Sequence, residues 1–315
     1  MSATYALHNG HAGNVRQAVA LAHALDARAF GLAIQPRAPW RWLAPRNLPA
    51  GARAFGESFA SLMANPPALV IGCGRQAALA TRLLRARGSK AVQILDPRID
   101  PRHWDMVVVP EHDGLRGDNV LSMLGSLHPV DDLWLAQARR DFAELADLPA
   151  PHTVLLVGGP TRRAALTDAG FNHLLQMLAS YVRDQGGSLS AVASRRTPQT
   201  WRDAIAHVPA DTPGLRWSSD GDGRNPYAGL LAHANRFVCT PDSVNMLSEA
   251  AASLAPVFVW SADIASGGPR RFVDTLLERG RIRVLDEAMD AFAVEPLRET
   301  ARIAESLRKR FALGT

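Results

Sequence analysis

The sequence predicts an α/β protein of two doubly wound domains facing each other across a cleft, on three observations. At 315 residues the chain exceeds the size at which one core usually stops growing, so two domains of roughly 150 residues each are expected. Short β-rich runs alternate with helix-length segments from one end to the other, the pattern of βα units around parallel sheets. A break falls at Asp147 to Thr153, "DLPAPHT", where two prolines follow a helical segment running from near Asp131 to Leu145.

In the first half, strands are expected at "TYALH", "FGLAIQP", "ALVIGC", "AVQILD" and "MVVVP". Between them "GNVRQAVALAHALDA" and "GRQAALATRLLRARG" place apolar residues at helical spacing. Pro36 to Pro67 is interrupted by prolines and aromatic residues and reads as irregular chain with one helix. The second half restarts with "HTVLLVGGP" and a long helix through "FNHLLQMLASYVRDQGG", then strand runs opening "SLSAVASRRTP", "LRWSSD", "RFVCT" and "APVFVW". The closing "EPLRETARIAESLRKRFAL" has the pattern of an amphipathic helix. The expected spans are therefore 1–149, 150–294 and a terminal helix over 295–315.

Composition narrows the function classes. Hydrophobic residues make up 47% and charged residues 21%, with no low-complexity tract, so a disordered arm is not expected. The net charge of +5 does not announce a nucleic-acid partner, because the arginines are scattered singly or in pairs without interleaved aromatics. Two cysteines, Cys73 and Cys239, lie far apart at strand ends and read as buried thiols in a reducing compartment, not as a disulfide framework. The N-terminus lacks the charged and apolar regions of a signal peptide, and no 18-residue apolar run exists. A cytoplasmic protein is expected, with any membrane contact confined to the inner membrane face. Metal-ligand spacing is absent, so no metal is expected.

The polar residues concentrate at strand ends, where ligands of doubly wound sheets sit. "RFVCTPDSVNMLSEA" turns from strand to helix through Thr240, Asp242 and Ser243, and a helix N-terminus offers free N–H groups and partial positive charge to a diphosphate. Ser243 also suits a simple cap. Glu249 lies seven residues after Asp242, two turns along on the same face, where a carboxylate suits the two hydroxyls of a ribose. The alternative is a solvent-facing Glu. Ser194-Arg195-Arg196-Thr197 ends another strand with two guanidiniums whose geometry matches phosphate, although a surface turn explains them too. Asn225 and Tyr227 open a further helix with groups able to bond or stack on a base or sugar.

In the first half, "HNGHAGN" is a Gly-rich turn feeding a helix, with Gly10, Gly13 and Asn14 open to a ligand and His11 titratable. "PEHDG" adds His112 and Asp113, a His beside a carboxylate and so a candidate general base. Solvated turn residues are the alternative for both. A rival signal is Gly72-x-Gly74-x-x-Ala77 with Asp96 closing the next strand, the outline of a dinucleotide fingerprint that implies NAD. It lies on an inner strand and leaves the second half unexplained, so a structural role for this turn, with Gly74 allowing tight helix packing, is expected.

Taken in order, "GHAGN", "VQILDPR", "VVVPEHD", "VGGP", "SRRTP", "NPYAGLLAHA" and "VCTPDSVNMLSEA" resemble the bacterial branch of the mitochondrial fission family named for a plant elongated-mitochondria protein. That family is similar in turn to the GT-B glycosyltransferases. The resemblance implies two Rossmann-like domains, a terminal helix packing back on the first, and a nucleotide sugar held by the second. It implies Glu249 as the ribose carboxylate, with Asp242, Ser243 and Arg195 near the sugar diphosphate and Gly158, Gly159, Asn245 and Met246 lining the same site. The resulting expectation is a metal-independent sugar transferase without a cofactor, the nucleotide-diphosphate sugar being a co-substrate. An interaction protein on the same scaffold, with a protein partner, and an NAD-dependent sugar-nucleotide enzyme are the alternatives.

Overall fold

The computed structural model describes residues 3–313 and places its strands in two parallel six-stranded sheets. Two compact units divide the chain, residues 1–129 with 299–315, and residues 130–298. The outermost residues of the expected spans, 1–2 and 314–315, lie outside the described residues.

The first unit carries β1 (Thr4–His8), β2 (Phe30–Ala33), β3 (Leu69–Cys73), β4 (Lys90–Ile94), β5 (Met106–Pro110) and β6 (Val120–Met123), in the order β2-β1-β3-β4-β5-β6. β3 and β5 are buried at every residue, as continuous apolar runs inside a parallel sheet should be. The helices α1 (Ala12–Leu25) and α4 (Arg75–Arg85) follow β1 and β3. The Pro-rich stretch holds two helices where one was expected, α2 (Trp40–Leu43) and α3 (Glu57–Ala64). The terminal helix, α11 (Glu299–Phe311), buries Ile303, Ala304 and Leu307 and packs on α1. Its start is pinned, because Glu299 Oε2 accepts the Leu124 N–H at 2.8 Å and Thr300 Oγ1 accepts that of His128 at 3.0 Å.

The second unit carries β7 (His152–Val157), β8 (Ser188–Ala193), β9 (Arg216–Trp217), β10 (Arg236–Cys239), β11 (Val257–Val259) and β12 (Arg283–Val284), in the order β12-β11-β10-β7-β8-β9. Interleaved are α5 (Asp132–Asp141), α6 (Asp168–Asp184), α7 (Gln199–Ala206), α8 (Tyr227–His233), α9 (Val244–Ala251) and α10 (Gly267–Glu278). Phe171 of α6 stacks on Trp201 of α7 with ring centroids 4.1 Å apart, and the indole N–H donates to Asp168 at 2.7 Å.

The division falls some twenty residues before the expected 149/150 boundary. α5 belongs to the second unit because its apolar face finds its partner in α8: Leu135, Ala138 and Phe142 are buried, and a Cβ on Gly229 would come within 2.5 Å of Phe142. Arg139 of α5 donates to the Ala232 carbonyl at 2.9 Å. The prolines near residue 150 mark only the step from a short helical turn over 143–147 into β7, inside one unit.

Candidate functional site

In the second sheet β7 sits between β8 and β10, so the strand order reverses between β7 and β10. Crevices beyond the carboxyl ends of strands at such a reversal are where doubly wound sheets bind ligands. The three loops that leave β7, β8 and β10 are therefore neighbours, and the structure knots them together.

Gly158 donates its N–H to Thr240 Oγ1 at 2.8 Å, and Gly159 donates to Asp242 Oδ2 at 3.2 Å. The glycines are obligatory. A Cβ on Gly158 would lie 2.2 to 2.5 Å from the Asp242 carboxylate, and one on Gly159 would lie 2.8 Å from the Arg196 carbonyl. The β8 loop is tied to the same point. Ser194 Oγ donates to the Gly158 carbonyl at 3.1 Å, Thr197 Oγ1 lies 2.5 Å from that oxygen, and the Ser194 N–H donates to Thr197 Oγ1 at 2.9 Å. Arg195 and Arg196 are exposed above this scaffold.

Asp242 occupies an unexpected place. Its side chain is fully enclosed and pairs through Oδ2 with Arg196 Nη2 at 2.8 Å, while the buried Oδ1 has no hydrogen-bond partner among the described residues. A carboxylate so placed orients the half-exposed Arg196.

Ser243 is the N-cap of α9 and accepts the Met246 N–H at 3.5 Å, a weak cap. Asn245 and Met246 are half-buried on the first turn. Asp242 precedes the helix, and nearly two turns along it from the Ser243 cap Glu249 is buried, 3% exposed, which overturns the solvent-facing alternative. The Tyr227 hydroxyl donates to Glu249 Oε2, and Asn225 Oδ1 accepts the Tyr227 N–H at 2.9 Å, so "NPY" and "SEA" meet. The far end of α9 is capped by Arg281, whose buried guanidinium donates to the carbonyls of Ala251 and Ser253, each at 2.9 Å; burial lowers its pKa to about 10. Arg202 holds the β8 loop in a similar way, donating to the Ser194 carbonyl at 2.7 Å. Neither arginine was singled out from the sequence, where "RGRIRV" and "TWRDA" carry no motif that marks them.

The first unit places its candidates differently. In the sheet order, the reversal lies between β1 and β3. Asn14 bridges the two loops there, donating to Asn9 Oδ1 at 3.0 Å and accepting from Cys73 Sγ at 3.6 Å. Gly10 and Gly74 both need positive φ, +82° and +88°, and a Cβ on Gly74 would come within 2.5 Å of Asn14 Nδ2. Gly74 thus makes room for α1, and Gly72 does the same for α4, since its Cβ would fall 2.7 Å from Thr81. Asp96 is ion-paired with Arg98 at 3.1 Å. Gly13 is half-buried and His11 is exposed at the start of α1. His112 and Asp113 are half-buried, with Nε2 to Oδ1 at 3.9 Å, beyond hydrogen-bond reach. β3 and β4 stand between β1 and β5, so three strand spacings, about 14 Å, separate the strand ends that carry His11 and His112. The two histidines do not form one catalytic pair.

Cys73 and Cys239 are buried and free, and burial pushes both thiols up in pKa. Among the described residues no group of three or more His, Cys, Asp or Glu is placed to hold a metal, and no helix is long and apolar enough to cross a membrane.

Comparison with known proteins follows the same outline. A UDP-GlcNAc 2-epimerase of Methanocaldococcus jannaschii superposes with a TM-score of 0.58 at 10% identity, covering 98% of this chain and 100% of that one. A UDP-N-acetylglucosamine 2-epimerase of Rickettsia bellii superposes at 0.53 and 12% identity, covering 99% and 96%. The shared fold is GT-B-like, with two Rossmann-type parallel sheets. In sequence, the mitochondrial fission protein ELM1 of Arabidopsis thaliana is 30% identical over 280 residues, 78% of this chain and 64% of that protein's length. An uncharacterized protein of Rickettsia prowazekii is 26% identical over 291 residues, 79% of this chain and 80% of its own. The family model described as Mitochondrial fission ELM1 matches residues 12–311, nearly the whole chain, and the protein belongs to that family.

Proposed function

We propose that the second unit binds the nucleotide-diphosphate part of a nucleotide sugar, with Glu249 on the ribose hydroxyls. The observation that carries this is the burial of Glu249 two turns behind a helix N-terminus that opens at the strand-order reversal. A buried carboxylate costs free energy unless it is partnered, and a capping role places no demand on it. The Tyr227 hydroxyl is the kind of donor a ribose diol would replace or join. Ser243 and the α9 N–H groups face the diphosphate with Arg195, and with Arg196 held in place by Asp242. That UDP sugars are the substrates named for fold relatives supports the same ligand class.

On this reading the finer activity is metal-independent sugar transfer. The arginines and the α9 N-terminus stabilise the departing diphosphate, and His11, or alternatively His112 with Asp113, deprotonates the acceptor. The second reading, an interaction protein that retains the scaffold without turnover, is favoured by the 3.9 Å gap between His112 and Asp113. It is also in keeping with the fission role named for the plant relative.

Calorimetric titration of UDP, and then of the other nucleoside diphosphates, tests the common part. Glu249→Gln should weaken binding by about 1.5–3 kcal/mol, the range for hydrogen bonds to a charged group. Its unfolding free energy should stay within about 1 kcal/mol of the parent's, since Gln keeps an acceptor for Tyr227. Equal affinities for parent and variant would remove the ribose assignment. Release of sugar from the nucleotide-diphosphate sugar of whichever nucleotide binds, assayed on parent and variant, then separates transferase from binder.

A further inference from the structure

We propose that α2 and the arginine-rich loop around it form a docking surface for an anionic membrane. The segment lies in the first unit between β2 and α3, and nucleotide binding makes no use of it. α2 is apolar on two faces. Trp40 and Ala44 pack into the core beneath, whereas Trp42 and Leu43 are 67% and 41% exposed. The backbone of the outward face is tied to the first unit, because Arg75 and Arg82 of α4 donate to the carbonyls of Trp42 and Pro45 at 3.3 and 3.4 Å, and the Arg37 N–H closes the loop on the Ala54 carbonyl at 2.8 Å. Folding therefore fixes an exposed Trp–Leu pair for which the fold itself has no partner.

Charge identifies the occupant. From the end of β2 at Ala33 to Glu57 no Asp or Glu occurs, while Arg37, Arg41, Arg46 and Arg53 are all exposed in that interval. Guanidiniums pair bidentately with lipid phosphate, and Trp settles at the headgroup level where one edge is apolar and the other wet. A single insertion or a basic patch alone binds weakly, and the combination is what gives stable attachment. Leu43 beside Trp42 decides for lipid over nucleic acid, since an aliphatic side chain has nothing to gain from ribose or phosphate but belongs among acyl chains.

The test is co-sedimentation with vesicles of phosphatidylcholine containing about one-quarter phosphatidylglycerol, against phosphatidylcholine alone. The protein should sediment with the anionic vesicles and be released by high salt. Arg41→Gln with Arg46→Gln should weaken binding about fivefold per arginine, and Trp42→Ser with Leu43→Ser roughly tenfold or more. Arg28→Gln with Arg87→Gln removes the same charge elsewhere and should leave binding near the parent's. The arginine pair is exposed, so the test stands even if the Trp42 variant folds poorly. Equal loss in the Arg28 and Arg87 variant, or parent-like binding by the Trp42 and Leu43 variant, would overturn the proposal. So would an absence of vesicle binding, and retention of single-stranded RNA by the same arginines would then reassign the surface to nucleic acid. Glu249→Gln leaves vesicle binding unchanged, so this surface and the nucleotide site fail or stand separately.

Discussion

Gly158→Ala should destabilise the second unit by about 3–5 kcal/mol and take nucleotide affinity with it. The new methyl would lie 2.2 to 2.5 Å from all three atoms of the Asp242 carboxyl group. That side chain has nowhere to go, being short, fully enclosed and bonded to the Gly159 N–H and to Arg196. Relief of the clash must therefore break the charge-assisted bonds or push β7 away from β10. A double-mutant cycle isolates the cause. Asp242→Ala alone should cost about 2–3 kcal/mol, the loss of two hydrogen bonds at a charged group offset by its desolvation. Adding Gly158→Ala to it should then cost less than about 1 kcal/mol, because the space has been vacated. Denaturant titrations of the four proteins measure the coupling. Strictly additive costs would mean that the glycine is there for some reason other than Asp242.

That contact also marks where sequence reasoning runs out. "VGGP" and "TPDS" are 82 residues apart at Gly158 and Thr240, and nothing in either says that one exists to make room for the other. The loops themselves were legible, because β7, β8 and β10 are uninterrupted runs buried along their length, and such runs declare their own ends. β12 was not, since it has only two residues, Arg283 and Val284, and both are exposed, and β6 is a run of only four residues, three of them half-buried. Glu249 was legible as a candidate from its spacing, but its burial depends on α8, whose Tyr227 reaches it from 22 residues away. The pairing of Asp242 with Arg196 was hidden for the same reason. A carboxylate at a strand end reads as a ligand contact until the arginine that occupies it is known. The unit boundary was displaced because prolines report a local break in hydrogen bonding, whereas a boundary depends on which surface a helix such as α5 covers.

The second large effect lies at the opposite edge of the same sheet. His152, the first residue of β7, is 3% exposed, with Nε2 2.8 Å from Ser190 Oγ. Its pKa is pushed down from 6.5 to about 4, chiefly by burial and then by the neighbouring His233, against a smaller opposing effect of the His233 backbone. Unfolded chain binds the proton near pH 6.5, and folded chain only near pH 4, so protons favour unfolding throughout that window. The stability associated with a neutral His152 is complete above pH 6.5 and is lost progressively as pH falls toward 4, by about 3 kcal/mol in all. For a domain whose total stability is on the order of 5–15 kcal/mol, that loss is large. His152→Gln keeps a hydrogen-bonding side chain at Ser190 without a titrating ring, so the variant should start somewhat less stable at pH 7.5 and lose about 3 kcal/mol less than the parent on acidification to pH 4. Carboxylates titrate in both proteins and cancel in the difference. Denaturant unfolding at half-unit pH steps gives the two curves, and parallel curves between pH 6.5 and 4 would show that the imidazole reaches a proton in the folded state as easily as in the unfolded one.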